Sequence, residues 1–195
     1  FPMSSHPPLS VLEATDMQTM LTRIQKQDWN GAHEIAQSQE GVWAYDRLHA
    51  FLHRLEGDTA NAAYWYRRCG LSISNVSANE EIQFLLQWVK PFLLTDKKLL
   101  HVAQHTDWKQ QEEADFFIPE SLELEGFIHL CTPSQLSGVL ERYYAGRTDL
   151  YILHIEPQTL MPHLKFEKGP TGDFFPHFFA KLPKSAISLL EDLSL

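Results

Sequence analysis

The sequence predicts an α+β protein in two parts, an all-α bundle followed by a small mixed α+β domain. Over residues 1–96, apolar residues recur at three- and four-residue steps, which is the period of amphipathic helices. After residue 97, short apolar runs of strand length alternate with polar segments. A charged stretch at residues 95–98 separates the two patterns, so we predict domains at 1–96 and 97–195.

Five helices are expected in the first domain. Ser10 and Asp58 are typical helix caps, Ser77 with Glu80 forms a capping box, and Gly57 is a stop signal. The predicted helices lie at residues 11–27, 31–39, 42–56, 59–69 and 82–94. Short loops between them favour a compact bundle.

The second domain is predicted to contain five short strands with helices between them. The predicted strands lie at residues 99–103, 127–131, 150–155, 164–167 and 174–179. The predicted helices lie at residues 107–113, 133–144 and 184–193. This mixture of elements is typical of an α+β domain.

Composition excludes several function classes. The net charge is −9 and neither half is basic, so no extended nucleic-acid surface is expected, although a free nucleotide remains possible. No apolar run approaches the ~20 residues of a membrane span, and no secretory signal is recognised, which predicts a cytoplasmic protein without membrane contact. Cys69 and Cys131 lack the spacing of a metal site and are expected to be reduced thiols.

Three histidines lie at the centres of predicted strands. His101, His129 and His177 each have apolar neighbours, and an imidazole in such surroundings must satisfy two ring nitrogens. Each could be an ordinary core histidine bonded to a carbonyl. Three in one domain favour instead a shared pocket.

A family resemblance rests on a series of short motifs in the second domain. In chain order these are Leu100-His101, Trp108, Pro119-Glu120-Ser121-Leu122, Glu125-Gly126-Phe127-Ile128-His129, Gln135, Asp149-Leu150, Glu167 and Phe175-Pro176-His177. Their order and spacing resemble the domain of unknown function nine-fifty-two family over about half of the chain. The sequence departs from that family at Leu100, at Cys131 and at Phe178 with Ala180, where the family usually has Tyr, Ser and Tyr with Gly.

The resemblance implies an ADP-ribosyltransferase-like fold, in which two small sheets form a cleft for NAD. By position, His101 would contact the ribose and His129 would line the same cleft. His177 falls near the place of a catalytic Glu or Gln in classical members, and Glu167 is the candidate to supply the missing charge. These four are the candidate catalytic residues.

The cofactor-binding set implied for NAD is His101, His129, Phe175 and Phe179. The two phenylalanines share a strand face with His177 and are expected to form a wall for a planar ring.

Three functions follow as hypotheses. The first is an NAD-dependent ADP-ribosyl- or related transferase, or an NAD glycohydrolase. The second is a non-catalytic nucleotide- or small-ligand-binding protein. The third is a metal enzyme that uses His101, His129 and His177 as zinc ligands.

The first domain resembles an uncharacterised bacterial helical family, through Leu52-His53-Arg54 with Glu56-Gly57-Asp58 and the segment 61–68. That resemblance implies no mechanism. His49, His53 and Glu56 have a spacing that suits a metal, but the zincin pattern is absent, and His33-Glu34 also lacks its second His.

We therefore predict no metal in the first domain. We expect instead a buried polar network of His49, His53, Arg54, Asp58 and Asn61. A surface for a ligand or a protein partner is the remaining possibility, and its anchors would be Tyr64, Trp65, Tyr66 and Arg67.

Overall fold

A computed structural model describes residues 6–73, 75–94 and 98–194. The chain divides into two compact units, Phe1–Leu93 and Leu94–Leu195. The first is helical and the second mixes helices with small sheets, in agreement with the predicted α+β class. Most of the stretch predicted to join the domains, residues 95–97, lies outside the described residues.

The first unit is built from helices whose ends carry the expected caps. They are α1 (Val11–Gln25), α2 (Trp29–Ser38), α3 (Trp43–Leu55), α4 (Thr59–Arg68) and α5 (Ala78–Val89), followed by a 3₁₀ turn at Lys90–Phe92. Ser10 and Ser77 each form a complete capping box, and Asp58 accepts a hydrogen bond from the Asn61 backbone amide. Gly57 has φ +80°, so it ends α3 in the left-handed conformation that glycine adopts without strain.

The core of the first unit holds a charged group that the sequence did not predict. Arg47 and Glu81 are both fully buried, and Arg47 Nη2 donates to Glu81 Oε1 at 2.6 Å. The Tyr66 hydroxyl donates to the same oxygen at 2.6 Å, and Arg54 donates to Glu81 Oε2 and to the Val76 carbonyl. This buried network ties α3, α4 and α5 together.

The five residues predicted to form one polar network therefore do not all contact one another. Arg54 pairs with Glu81, away from the histidines. Asn61 donates its side-chain amide to Asp58 as part of the α4 cap. His53 lies 3.9 Å from Asp58 and 3.5 Å from Glu56. Helix periodicity placed these side chains on one face but could not decide which neighbour each one reaches.

The second unit contains eight short strands and three helices among its described residues. The strands are β1 (Leu99–Gln104), β2 (Phe116–Phe117), β3 (Ile128–His129), β4 (Leu150–Ile155), β5 (Leu164–Lys168), β6 (Phe174–Phe178), β7 (Leu182–Pro183) and β8 (Ile187–Asp192). The helices are α6 (His105–Gln110), α7 (Glu120–Leu124) and α8 (Leu136–Tyr143).

The strands pair antiparallel in three small sheets. Their orders are β1-β4-β8, β2-β7 and β3-β6-β5. A bridge between Leu100 and Cys131 links β1 to the segment that follows β3, with two backbone hydrogen bonds of 2.8 Å. This bridge brings the middle of β1 beside the end of β3.

The C-terminal helix predicted at residues 184–193 is wrong. A 3₁₀ turn at Lys184–Ala186 leads instead into β8, which pairs with β4 and places Leu190 opposite Leu153. β4 is buried at four of its six positions, and its second edge needs hydrogen-bond partners. The pairing with β4 therefore overrides the local helical pattern.

Helices long and apolar enough to cross a membrane are absent from the described ranges.

Candidate functional site

The three histidines of the second unit line one cavity of about 590 Å³. His101 comes from β1, His129 from β3 and His177 from β6. Register places His129 directly opposite His177, and their rings meet edge to face with centroids 5.2 Å apart. The structure thus brings together three residues that are 28 or more positions apart in the chain.

His101 is the buried member of the set, with 6% of its surface exposed. Its Nδ1 lies 2.8 Å from the backbone oxygen of His129. Because a carbonyl only accepts, Nδ1 carries the proton and Nε2 is left as an acceptor. Burial lowers the pKa of His101 to about 4, so the ring is neutral at pH 7.

His177 forms a pair with a carboxylate. Its Nδ1 donates to Glu167 Oε2 at 2.7 Å, and its ring stacks on Phe127 with centroids 4.2 Å apart. Burial lowers the pKa of His177, while the hydrogen bond to Glu167 acts in the opposite direction. Glu167 fixes the tautomer, so the unprotonated Nε2 is available to act as a base.

The strand position of His129 predicted that its ring is buried among apolar residues, and this prediction is wrong. About half of its side chain, 52%, is exposed, and its Nε2 lies 3.1 Å from Glu125 Oε1. The strand is short, and the apolar neighbours Ile128 and Leu130 point to the opposite, buried side. His129 is therefore the ring that solvent reaches most easily.

The two phenylalanines predicted to bind a planar ring differ in position. Phe175 lines the cavity, whereas Phe179 is not among the described residues that line it. Phe179 instead packs on Phe127, at 5.5 Å, and under the Lys165 ammonium group, at 5.0 Å. Side-chain alternation placed both on one face of the strand but gave no information on where the cavity ends.

Several cavity residues were not identified from the sequence. Tyr143 and Tyr144 at the end of α8 form an aromatic wall, Lys168 adds a positive charge, and the Glu125 carboxylate adds a negative one. Glu125 is the first residue of the Glu125–His129 motif, and that position was the available signal.

A second cavity, of about 490 Å³, adjoins the first and shares Val139, Tyr143 and Phe175 with it. Its lining includes Arg142 and Thr171.

Two other motif residues have structural roles. Gln135 donates to the Phe174 carbonyl at 2.8 Å and accepts from the Thr132 amide, so it holds the start of β6 beside α8. Trp108 lies under the Lys184 ammonium group, at 4.6 Å. Neither is among the described residues that line the cavity of the three histidines, although Gln135 lines the adjoining one.

His101, His129 and His177, the predicted zinc set, are not among the described residues whose donor atoms lie close enough together to hold a metal ion. Among the residues that the structure describes, one group of three potential ligands has its donor atoms close together, and it comprises His33, His49 and His53 of the first unit.

The predicted partner surface is also revised. Trp65 is 8% exposed and stacks on His49, and Tyr66 is fully buried against Glu81. Neither can anchor a partner at the surface. Tyr64 and Arg67 are exposed.

Both cysteines are buried free thiols, as expected. Burial raises the pKa of Cys69 and of Cys131 to about 12, so neither is a ready nucleophile at neutral pH.

Comparison with known proteins finds a family model that matches part of the second unit. Residues 102–190 match the model of the family described as Protein of unknown function (DUF952). No curated protein matches the chain.

Among solved structures, the X-ray structure of protein CC0527 from Caulobacter crescentus is similar. It is 24% identical, the match covers 49% of this chain and 84% of that one, and the TM-score is 0.46. The solution NMR structure of the same protein is also 24% identical, with 50% and 84% covered and a TM-score of 0.45.

Proposed function

We propose that the second unit is an NAD-using enzyme of ADP-ribosyltransferase-like type, either an ADP-ribosyl- or related transferase or an NAD glycohydrolase. The observation that carries this proposal is the hydrogen bond between His177 and Glu167 at the wall of the cavity, 2.7 Å long. A carboxylate behind an imidazole orients the ring and stabilises the imidazolium that forms when the ring takes a proton. His177 is therefore proposed as the general base.

The lining of the cavity supports a nucleotide ligand. The Nε2 atom of His101 is an acceptor of the kind that a ribose hydroxyl requires, and Phe175 and Tyr144 offer faces for a planar ring. A volume of about 590 Å³ lies within the range of small-molecule sites. Arg142 in the adjoining cavity is suited to bind a diphosphate.

The proposed chemistry divides between two acidic residues. Cleavage of the ribosyl–nicotinamide bond of NAD gives the leaving group the bonding electrons and leaves positive charge on the ribose. The negative carboxylate of Glu125, which lines the cavity, would stabilise that positive charge. His177 would accept the proton of the attacking water or hydroxyl group through Nε2, with Glu167 as its positioning residue.

A second candidate is a non-catalytic binding protein for the same ligands. Glu125 is half exposed, so water screens its charge, and Glu167 is directed at His177. Under this alternative, NAD and ADP-ribose bind in the cavity but no nicotinamide is released.

The two candidates are separated by an assay of nicotinamide release with the full chain. For the enzyme, Glu167→Gln should lower turnover by about 10²-fold or more, because the neutral amide no longer stabilises the imidazolium. KM should change little, because Glu167 is not among the described residues that line the cavity.

The matched control is Glu191→Gln. Glu191 pairs with His154 at 2.8 Å between β4 and β8, in another histidine–carboxylate pair of the same unit. This variant should keep wild-type turnover. Equal turnover of wild type and Glu167→Gln would contradict the base role, and binding without any release would favour the second candidate.

A further inference from the structure

Three histidines from two helices of the first unit form a close group that the proposed function does not use. His33 comes from α2, and His49 and His53 lie one turn apart on α3. Each offers a ring nitrogen, and these atoms lie within 4.8 Å of one another. The rings of His49 and His53 stack with centroids 4.8 Å apart, and the His33 ring lies 5.3 Å from both.

Some of the ring nitrogens in this group are not satisfied by the protein. The Nδ1 atoms of His33 and His49 are buried and have no hydrogen-bond partner in the described part of the chain, whereas His53 Nδ1 faces Glu56 at 3.5 Å. His49 is only 5% exposed, and the Trp65 ring stacks on it at 4.2 Å. Buried polar atoms normally have partners, so the unused nitrogens of His33 and His49 indicate a ligand.

The charge state of His49 also suits a metal ion. Burial, followed by the neighbouring rings of His53 and His33, lowers the pKa of His49 to about 4. The His49 ring is therefore neutral at pH 7 and has the lone pair that a metal requires.

Two carboxylates, those of Glu56 and Asp58, lie within 4 Å of ring nitrogens in this group. Glu56 Oε1 lies 3.0 Å from His33 Nε2, and Glu56 Oε2 lies 3.5 Å from His53 Nδ1. Asp58 Oδ2 lies 3.9 Å from His53. A carboxylate that accepts the second N–H of a ligating histidine is the usual partner in zinc sites.

We propose that His33, His49 and His53 bind one divalent transition-metal ion, zinc in the first instance. His33 ligates through the unpartnered Nδ1 while its Nε2–H donates to Glu56. Convergence on zinc at ~2.0–2.1 Å requires nitrogens about 3.4 Å apart, so the group closes by a little over 1 Å when the ion binds. Three histidines leave the fourth position to water or another ligand.

The site is open on one side. His33 and His53 keep 19% and 17% of their side chains exposed, whereas His49 is buried. An ion can therefore enter past His33 and His53 and meet His49 last. The sequence spacing of His49 and His53 suits a metal, but no metal was predicted, because His33 is on a separate helix and its distance from His49 along the chain does not indicate that the two rings meet.

The test is zinc binding by the full chain after treatment with a chelator. Equilibrium dialysis followed by metal analysis should give one zinc per chain. Co²⁺ in place of zinc should give the intense ligand-field bands of a tetrahedral site. The double variant His33→Gln with His53→Gln should weaken binding by about 100-fold or more, and Glu56→Gln by about 10-fold or more.

The matched control is His105→Gln with His154→Gln. These histidines pair with Asp192 at 3.1 Å and with Glu191 at 2.8 Å in the second unit. This control should bind zinc as the wild type does. Equal zinc content in the wild type and the His33/His53 variant would overturn the proposal, and so would Co²⁺ bands that survive in that variant. If the double variant does not fold, Glu56→Gln with wild-type affinity would overturn it as well.

Discussion

At the scale of single residues, the histidines differ in the group that their Nδ1 atom contacts. His101 donates to a carbonyl, His177 to a carboxylate, and His49 leaves Nδ1 without a partner among the described residues. The same residue type thus serves as an acceptor, a base candidate and a ligand candidate. The sequence identified the first two positions but could not supply their partners, which come from other strands.

His101 gives a prediction about pH. The unfolded imidazole titrates near 6.5 and the folded one near 4, so the unfolded state binds more protons between these values. Its contribution to stability is therefore complete above about pH 6.5 and is lost as the pH falls toward 4. The hydrogen bond to the His129 carbonyl and the Asp107 carboxylate act in the opposite direction on this pKa and are outweighed by burial.

Urea unfolding of the wild type and of His101→Asn measures this contribution. Asn retains a donor for the His129 carbonyl but does not titrate. The wild type should lose about 2 kcal/mol more than the variant between about pH 7 and pH 5. His105→Asn, whose ring pairs with Asp192, is the control and should behave as the wild type does. Parallel pH profiles for wild type and His101→Asn would contradict the burial of a neutral ring.

At the scale of elements, local signals predicted the helices well and the last strand poorly. The ends of α1, α3 and α4 agree with the sequence within two residues, because caps and apolar period lie inside each element. The prediction for the β8 segment was wrong because this segment becomes a strand only by pairing with the edge of β4, more than 30 residues earlier. Strand pairing is non-local, and a sequence window cannot detect it.

The buried network around Glu81 gives a prediction at this scale. Glu81 is the shared acceptor for Arg47, Arg54 and Tyr66, so Glu81→Leu leaves two arginines of α3 without their carboxylate. The free energy of unfolding should fall by about 3–5 kcal/mol in urea titrations.

Two further variants with smaller expected losses of stability serve as comparisons for Glu81→Leu. Tyr66→Phe removes one hydrogen bond to the same carboxylate and should cost only about 1–2 kcal/mol. Glu34→Leu changes an exposed glutamate of α2 and should stay within about 0.5 kcal/mol of the wild type. A Glu81→Leu protein as stable as the Glu34 variant would show that the network does not stabilise the helices.

At the scale of the molecule, each compact unit has its own candidate site. The helical unit gathers His33, His49 and His53, and the mixed unit gathers His101, His129 and His177. The fold class could be predicted because its two periodicities are visible along the chain. The strand placement of the second group was also predictable, whereas the first group depends on the packing of α2 against α3.

The most direct test of the account is histidine NMR of the full chain during titration with ADP-ribose, which has no nicotinamide bond to cleave. The chain has ten histidines, so each ring can be assigned from single variants. The ring resonances of His101, His129 and His177 should shift together and saturate, while those of His105 and His154 should not move. If His101 and His177 are unmoved at saturating ligand, or if all the histidines shift alike, the cavity is not a nucleotide site.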